Sequence, residues 1–208
     1  SGPLGFGPDT KADEINAAGG EAVGFACDVT QDSDIEAMVA KAVELWGRLD
    51  ILVNNANGTD PRNQERGITP GGSAVTMHEE AWQYQLSISI TAIFRACKRA
   101  VPAMEMSGGG GRIVSMASVH GMLAARNSVG YETVKTAIIG MTRQMATDFG
   151  PSGITVNAVC PGLIVHPRNG ARFDENPKLV SATEAQYPVG RYGVPDDIGH
   201  AVRFLWYA

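Results

Sequence analysis

Cysteine is scarce in this sequence, and what there is stands apart. Cys27, Cys97 and Cys160 are odd in number, far from one another and in no C-x-x-C or metal-ligand spacing. That excludes a disulfide-stapled scaffold and reads as free thiols in a reducing compartment, with the cytoplasm as the default. The four histidines are scattered and form no H-E-x-x-H set, so no metal centre is expected. No apolar run reaches the ~18 residues that a membrane-spanning helix needs. The opening SGPLGFGPDT has no basic region followed by an apolar run, so it is not a secretory leader. There is no block of Lys or Arg to serve as a footprint for nucleic acid or an anionic membrane, and the net charge is −5.

What is present suits one globular domain. Hydrophobic residues make up 44% and charged residues 19% of 208, enough for a sizeable core. Residues 1–10 are rich in Gly and Pro and read as coil. KADEINAAGG reads as the end of a helix stopped by Gly19 and Gly20. EAVGFACDV is a short strand candidate. From Ser33, the residues Ile35, Met38, Val39, Ala42, Val43 and Trp46 keep helical spacing, with Asp32 or Ser33 as N-cap and Gly47 as the stop. LDILVNNA is an apolar strand, followed by a polar loop over 57–78. A helix is expected over 79–104, a strand in RIVSMAS, a helix carrying Tyr131 to about Gly150, a strand in ITVNAV, a short helix in the mixed segment 167–193, and a last helix from Pro195. Short apolar strands alternating with helices predict an α/β fold with a doubly wound, Rossmann-like parallel sheet, both faces covered. No repeat and no second domain is seen across 1–208.

In such a sheet, ligands bind beyond the carboxyl ends of the strands. These ends read CDVT, NNA, SMAS and VCPG, all on one edge. Ser118 leaves one of them, and GYETVK, residues 130–135, arrives on the next helix. Four residues apart, Tyr131 and Lys135 share a helix face. An ammonium beside a phenol favours the phenolate, which suits proton transfer. The plainer interpretation of this spacing is a half-buried Tyr beside a solvated Lys on an ordinary amphipathic helix. A hydroxyl, a phenol and an ammonium converging on one cleft favour chemistry. Two donors aimed at one substrate oxygen stabilise the charge that develops there.

The ordered pieces CDVT, LDILVNNA, RIVSMAS, YETVK, ITVNAVCPG and VGRYGVPDDIGHAVRFL resemble the short-chain dehydrogenase/reductase family over about residues 11–207. The resemblance implies an NAD- or NADP-dependent oxidoreductase acting on a small alcohol or ketone, and a polar, Gly-rich pocket around 57–78 and 163–190 suits a sugar, polyol or keto compound. It implies Tyr131 as general acid/base and Lys135 as the group that lowers its pKa and bonds the nicotinamide ribose. Ser118 would hold the substrate oxygen. Asp28 and Val29 would meet the adenine end. Asn55 and Ala56 would lie along the cofactor, and Pro161, Gly162 and Ile164 would meet the nicotinamide. His166 stands where the family often has a threonine near the cofactor, with a surface position equally open. Ser89 takes the place of the family's water-anchoring asparagine. Asn57 takes that of a glycine, and its tolerance of positive φ suits the turn.

Against the family's pattern, the N-terminal strand, Gly-rich turn, helix and second strand have no counterpart in this sequence, which also stops before the last strand. Either the protein is a shortened variant or residues of a longer protein lie outside this sequence, and the strand edges that would be left exposed favour the latter or an unusual oligomer. The glycines of SGPLGFGP do not stand between a strand and a helix and are not counted as a phosphate loop. The residue that selects NAD over NADP belongs to that unit, so either dinucleotide stays open. The alternative function is therefore a non-catalytic, oligomer-forming relative that has lost the dinucleotide. Helices 79–104 and 129–149 are apolar beyond one stripe, which predicts, with the resemblance, a homodimer or homotetramer through them.

Overall fold

The computed structural model describes residues 8–108, 110–166, 169–170 and 176–207. The sequence's apolar runs become three parallel strands, β1 (Ile51–Asn54), β2 (Arg112–Met116) and β3 (Thr155–Val159), in the order β1-β2-β3. Ile51 pairs with Arg112 and Asn54 with Ser115. Arg112 in turn pairs with Thr155, and Met116 with Val159. The three carboxyl ends therefore lie side by side. Ile113 and Val114 are both fully buried. Adjacent strand residues point to opposite faces, so both faces of β2 are covered, as a Rossmann-like α/β sheet requires.

The helices follow the chain. They are α1 (Pro8–Ala17), α2 (Asp32–Trp46), the one-turn α3 (Pro61–Glu65), α4 (Glu79–Gln85), α5 (Ala92–Met106), α6 (Val129–Phe149), α7 (Pro177–Glu184) and α8 (Pro195–Tyr207). α2 packs on α5, α5 on β1, α6 on β2 and β3, and α8 on β2 and β3. The main core joins Ile35 of α2, Leu52 of β1, Ile93, Cys97 and Met104 of α5, Ile113 of β2, and Ile138 of α6. All three cysteines are free, and burial pushes the Cys97 thiol up to about 11. Among the described residues no helix is long and apolar enough to cross a membrane.

Besides the one-turn α3, which falls inside the expected polar loop 57–78, four details differ from the sequence expectation. Residues 8–10 open α1 instead of coil, because Pro8 sits in its first turn and Asp9 faces the positive end of the helix dipole; residues 1–7 lie outside the described part. Residues 21–28 form no strand. A strand exists only through a partner's ladder, and no described strand lies beside this segment. Side chains hold it instead: Trp46 Nε1 donates to Glu21 at 2.9 Å, and Arg95 donates to the Thr30 carbonyl at 2.7 Å. α2 is capped by Gln31, without a side-chain cap bond, where Asp32 or Ser33 was expected, and Gly47 closes it at φ +71°. The fourth difference lies between α4 and α5, where Leu86–Thr91 winds as a π-helix and the Ala92 N–H reaches back to Ser87 O. The expected single helix over 79–104 is therefore widened at mid-length. Such turns are rare and gather at functional sites.

Candidate active site

β2 ends at Met116, and two residues later Ser118 turns the chain. Its backbone is extended, and its Oγ accepts from the His120 N–H at 3.2 Å, capping a single 3-10 turn over Val119–Gly121. The Val119 N–H donates to Pro161 O at 3.0 Å, so the ends of β2 and β3 are tied together. Ser118 is buried, at 5% exposure.

α6 then brings Tyr131 and Lys135 to the same edge. The plainer picture required a solvated lysine, and Lys135 is instead only 4% exposed. Its Nζ donates to Met116 O at 2.7 Å and lies 5.6 Å from the Tyr131 ring centroid. Burial pushes its pKa down from 10.5 to about 8, with the neighbouring Cys160 pulling weakly the other way. An ammonium has three donors, and the described residues give this one a single acceptor. A buried cation held this way keeps donors that could meet the hydroxyls of a ribose.

A cleft of about 330 Å³ opens beside the phenol, lined by Asn57, Thr59, Pro70, Gln85, Ser89, Ser128 and Tyr131. Ser89 is buried in the π-helical turn. Gln85, which no sequence motif marks, closes this wall. Its Nε2 donates to Pro70 O at 2.7 Å, and its enclosed Oε1 has no partner among the described residues. A Cβ at position 130 would meet the ends of the Gln85 and Met77 side chains, which would have to shift to admit it. Asn57 does not take up the left-handed backbone expected of it. Its Oδ1 accepts from the Gly58 N–H at 2.9 Å, and the non-glycine positive φ of +58° belongs to Asn127.

The residues assigned to the cofactor are spread along the strand ends. Asn55 and Ala56 are exposed beyond β1 and, with the half-buried Val29, line a separate groove of about 200 Å³. Asn54 reaches across the sheet, its Nδ2 donating to Ser115 Oγ at 3.1 Å. Asp28 is exposed, but its carboxylate closes a local turn by accepting from Thr30 N and Oγ1 at 2.9 and 2.7 Å. Beyond β3, Gly162 is exposed, and the Leu163 N–H donates to Tyr187 OH at 2.8 Å. Ile164 bridges Gly193. The His166 N–H donates to Asn169 Oδ1 at 2.7 Å, and Asn169 Nδ2 donates to Ile164 O at 3.0 Å. Asn169 thus shapes this loop, and no sequence signal marked it. Tyr131 and Ser89 line the same cleft, Lys135 lies against the Tyr131 ring, and Ser118 is linked to that edge through His120, while Asp28 is engaged in its own turn.

Known proteins resemble this chain along most of its length. A family model of short-chain dehydrogenases, described as Enoyl-(Acyl carrier protein) reductase, matches residues 6–207. The chain is 36% identical over 194 residues to 2-(S)-hydroxypropyl-CoM dehydrogenase 3 of Xanthobacter autotrophicus, covering 92% of this chain and 72% of that protein. It is equally similar, at 36% over 197 residues, to the same organism's inactive 2-(S)-hydroxypropyl-CoM dehydrogenase 2, covering 93% and 80%. Among solved structures, a single-substitution variant of actinorhodin polyketide ketoreductase with NADPH superposes with a TM-score of 0.82 at 31% identity, covering 96% of this chain and 76% of that one.

Proposed function

The chain belongs to the short-chain dehydrogenase/reductase family of oxidoreductases, and on that premise we propose that it moves hydride between a nicotinamide dinucleotide and a small alcohol or ketone, with Tyr131 as general acid/base. The observation that carries this reading is the buried ammonium of Lys135, 5.6 Å from the Tyr131 ring and bonded to Met116 O. A cation is kept out of water at a real energetic cost, and the phenol beside it is the group that gains. Tyr131 gives its proton to a carbonyl oxygen during reduction or takes one from a hydroxyl during oxidation. Ser118 Oγ already accepts from the His120 N–H, so its own O–H is the donor left for the substrate oxygen. Ser89 and Gln85 wall the cleft.

The bound nicotinamide supplies or receives the hydride. Lys135, Asn55, Ala56 and the Pro161–Ile164 turn would hold it, with His166 beside them and Val29 and Asp28 toward the adenine end. The solved relative that carries NADPH makes NADPH the first cofactor to try, with NADH beside it. The cleft sets the polar groups of Asn57, Thr59, Gln85, Ser89 and Ser128 in a mainly apolar wall, which supports a compact keto or hydroxy compound, a sugar or polyol included.

Tyr131→Phe tests the reading. Losing one hydroxyl leaves packing almost unchanged, and turnover of a carbonyl substrate should fall at least about 100-fold with an unaltered far-UV spectrum. A variant that keeps near-wild-type turnover removes the acid/base role. The relative named as inactive motivates a second reading, a scaffold that keeps the fold without turnover. Saturable cofactor binding with no turnover across ketone and alcohol substrates would favour it.

We also infer self-association through α4, α5 and α6. Much of the apolar excess is taken up inside the chain, where Ile88, Ile93, Val134 and Ile138 are buried, but Phe94 stays 53% exposed on α5. A two-fold dimer or tetramer would cover it. Light scattering that returns a single 22.0 kDa species at micromolar concentration would end this inference.

A further inference from the structure

Two polar residues that the chemistry above leaves unused meet at the seam between Ser118 and Tyr131. The 3-10 turn places His120 two residues past Ser118, and α6 places Glu132 directly after Tyr131. His120 Nδ1 and Glu132 Oε1 are 2.7 Å apart, and the same carboxylate oxygen accepts from the Ala125 N–H at 2.9 Å. Glu132 Oε2 is enclosed and, among the described residues, has no hydrogen-bond partner. The imidazole stands edge-on to the Tyr131 ring, with centroids 5.9 Å apart and planes at 67°. Its own backbone N–H is the donor to Ser118 Oγ.

The simplest account is a staple that pins the loop 118–128 onto α6. The geometry goes further. With Glu132 ionised, Nδ1 must carry the proton, which fixes both the tautomer and the tilt of the ring. A ring so fixed forms one wall of the Tyr131 phenol, and its main chain orients the Ser118 hydroxyl. The two groups proposed to meet the substrate oxygen are thus set by one residue, and that residue is set by Glu132. Loss of a few tenths of an ångström in such an arrangement is costly, because the reacting atoms must be held in near-attack geometry.

We propose that Glu132 and His120 form a positioning pair that holds the Tyr131 phenol and the Ser118 hydroxyl in register with each other. This rests on the acid/base role given to Tyr131. Among the described residues, the charged or titratable groups in contact with His120 are Glu132 and Tyr131, and Lys135 flanks the same phenol. A proton gained by His120 therefore places a second cation against the phenol, and the pH profile of turnover should carry its signature.

The experiment compares His120→Leu, His120→Asn and Glu132→Gln with wild type and with Tyr131→Phe, measuring kcat, KM, cofactor affinity, melting temperature and the pH profile. His120→Leu should lower kcat roughly ten- to hundredfold with KM for the cofactor within about twofold, and should alter the acid side of the profile. His120→Asn keeps a donor near the Nδ1 position and should recover much of the loss. Glu132→Gln keeps the shape without the charge and should change the profile more than the melting temperature. If the variants lose only melting temperature, with kcat per folded site and pH profile as in wild type, the pair is a staple and the proposal is overturned. Tyr131→Phe separates the two failures. If that variant is dead while His120→Leu matches wild type, only the pair is wrong; if that variant is active, the acid/base role beneath it is wrong.

Discussion

The two ends of the same sheet edge are built in opposite ways. On the β2–α6–β3 side, Ser118 and Lys135 are buried and tied, by the His120 N–H and by Met116 O, the half-buried Tyr131 lies between His120 and Lys135, and the two strand ends are joined by Val119 to Pro161. On the side of residues 21–31, the chain runs beyond β1 without a ladder, Val23 and Phe25 are exposed, and Asp28 spends its carboxylate on its own turn. Both regions carry family motifs. Packing has removed the alternatives open to the motif side chains in only one of the two.

Substitutions on either side put that contrast to the test. The largest effect should come from the well-packed side. Ile113 is fully buried at the centre of the core, and Ile113→Ala should destabilise the fold by about 2–5 kcal/mol, read by urea denaturation. A loss below about 1 kcal/mol would mean that the β2 core is looser than described.

Next comes Lys135. Its folded pKa, about 8, lies below the unfolded value of 10.5 because burial disfavours the charge. Between those values the unfolded chain holds more protons, so wild-type stability rises with pH across this window; below about 8 the buried charge costs in full. Relative to Lys135→Met, wild type should gain at most roughly 3 kcal/mol between neutral pH and pH about 10. Parallel stability profiles for the two proteins would show that the ammonium is not buried in solution.

The smallest effect is expected at Phe25, which is 36% exposed and outside the core cluster. Phe25→Ala should cost about 0.5 kcal/mol or less. A loss comparable to that of Ile113→Ala would show that the segment is packed against a partner in solution, and the contrast would collapse.

The same physics decides what could be read in advance. β2, α6 and β3 were legible because a run of buried apolar residues and a 3.6-residue period are local signals. The family motifs then placed Ser118, Tyr131 and Lys135 at one edge. Residues 21–28 were misread because strand propensity is local whereas a ladder is not. α3 was missed although Asp60 followed by Pro61 is a cap-and-first-turn signal. The π-helical turn at Leu86–Thr91, the enclosed Gln85 and the pairing of His120 with Glu132 depend on tertiary packing, and no periodicity announces them. The burial of Lys135, which separates chemistry from an ordinary amphipathic helix, also belongs to the fold alone.

If the Ser118–Tyr131–Lys135 edge is a dinucleotide site built around a buried ammonium, that ammonium must contribute to cofactor affinity. The decisive measurement is an equilibrium titration of the protein with NADPH and with NADH, followed by the fluorescence of the reduced nicotinamide, with Lys135→Met titrated alongside. Saturable binding of at least one dinucleotide is expected, weakened roughly tenfold or more when the ammonium is removed, a change of about 1.4 kcal/mol or more. Failure of both dinucleotides to bind a folded protein, or equal affinity in Lys135→Met, would show that the edge is not such a site.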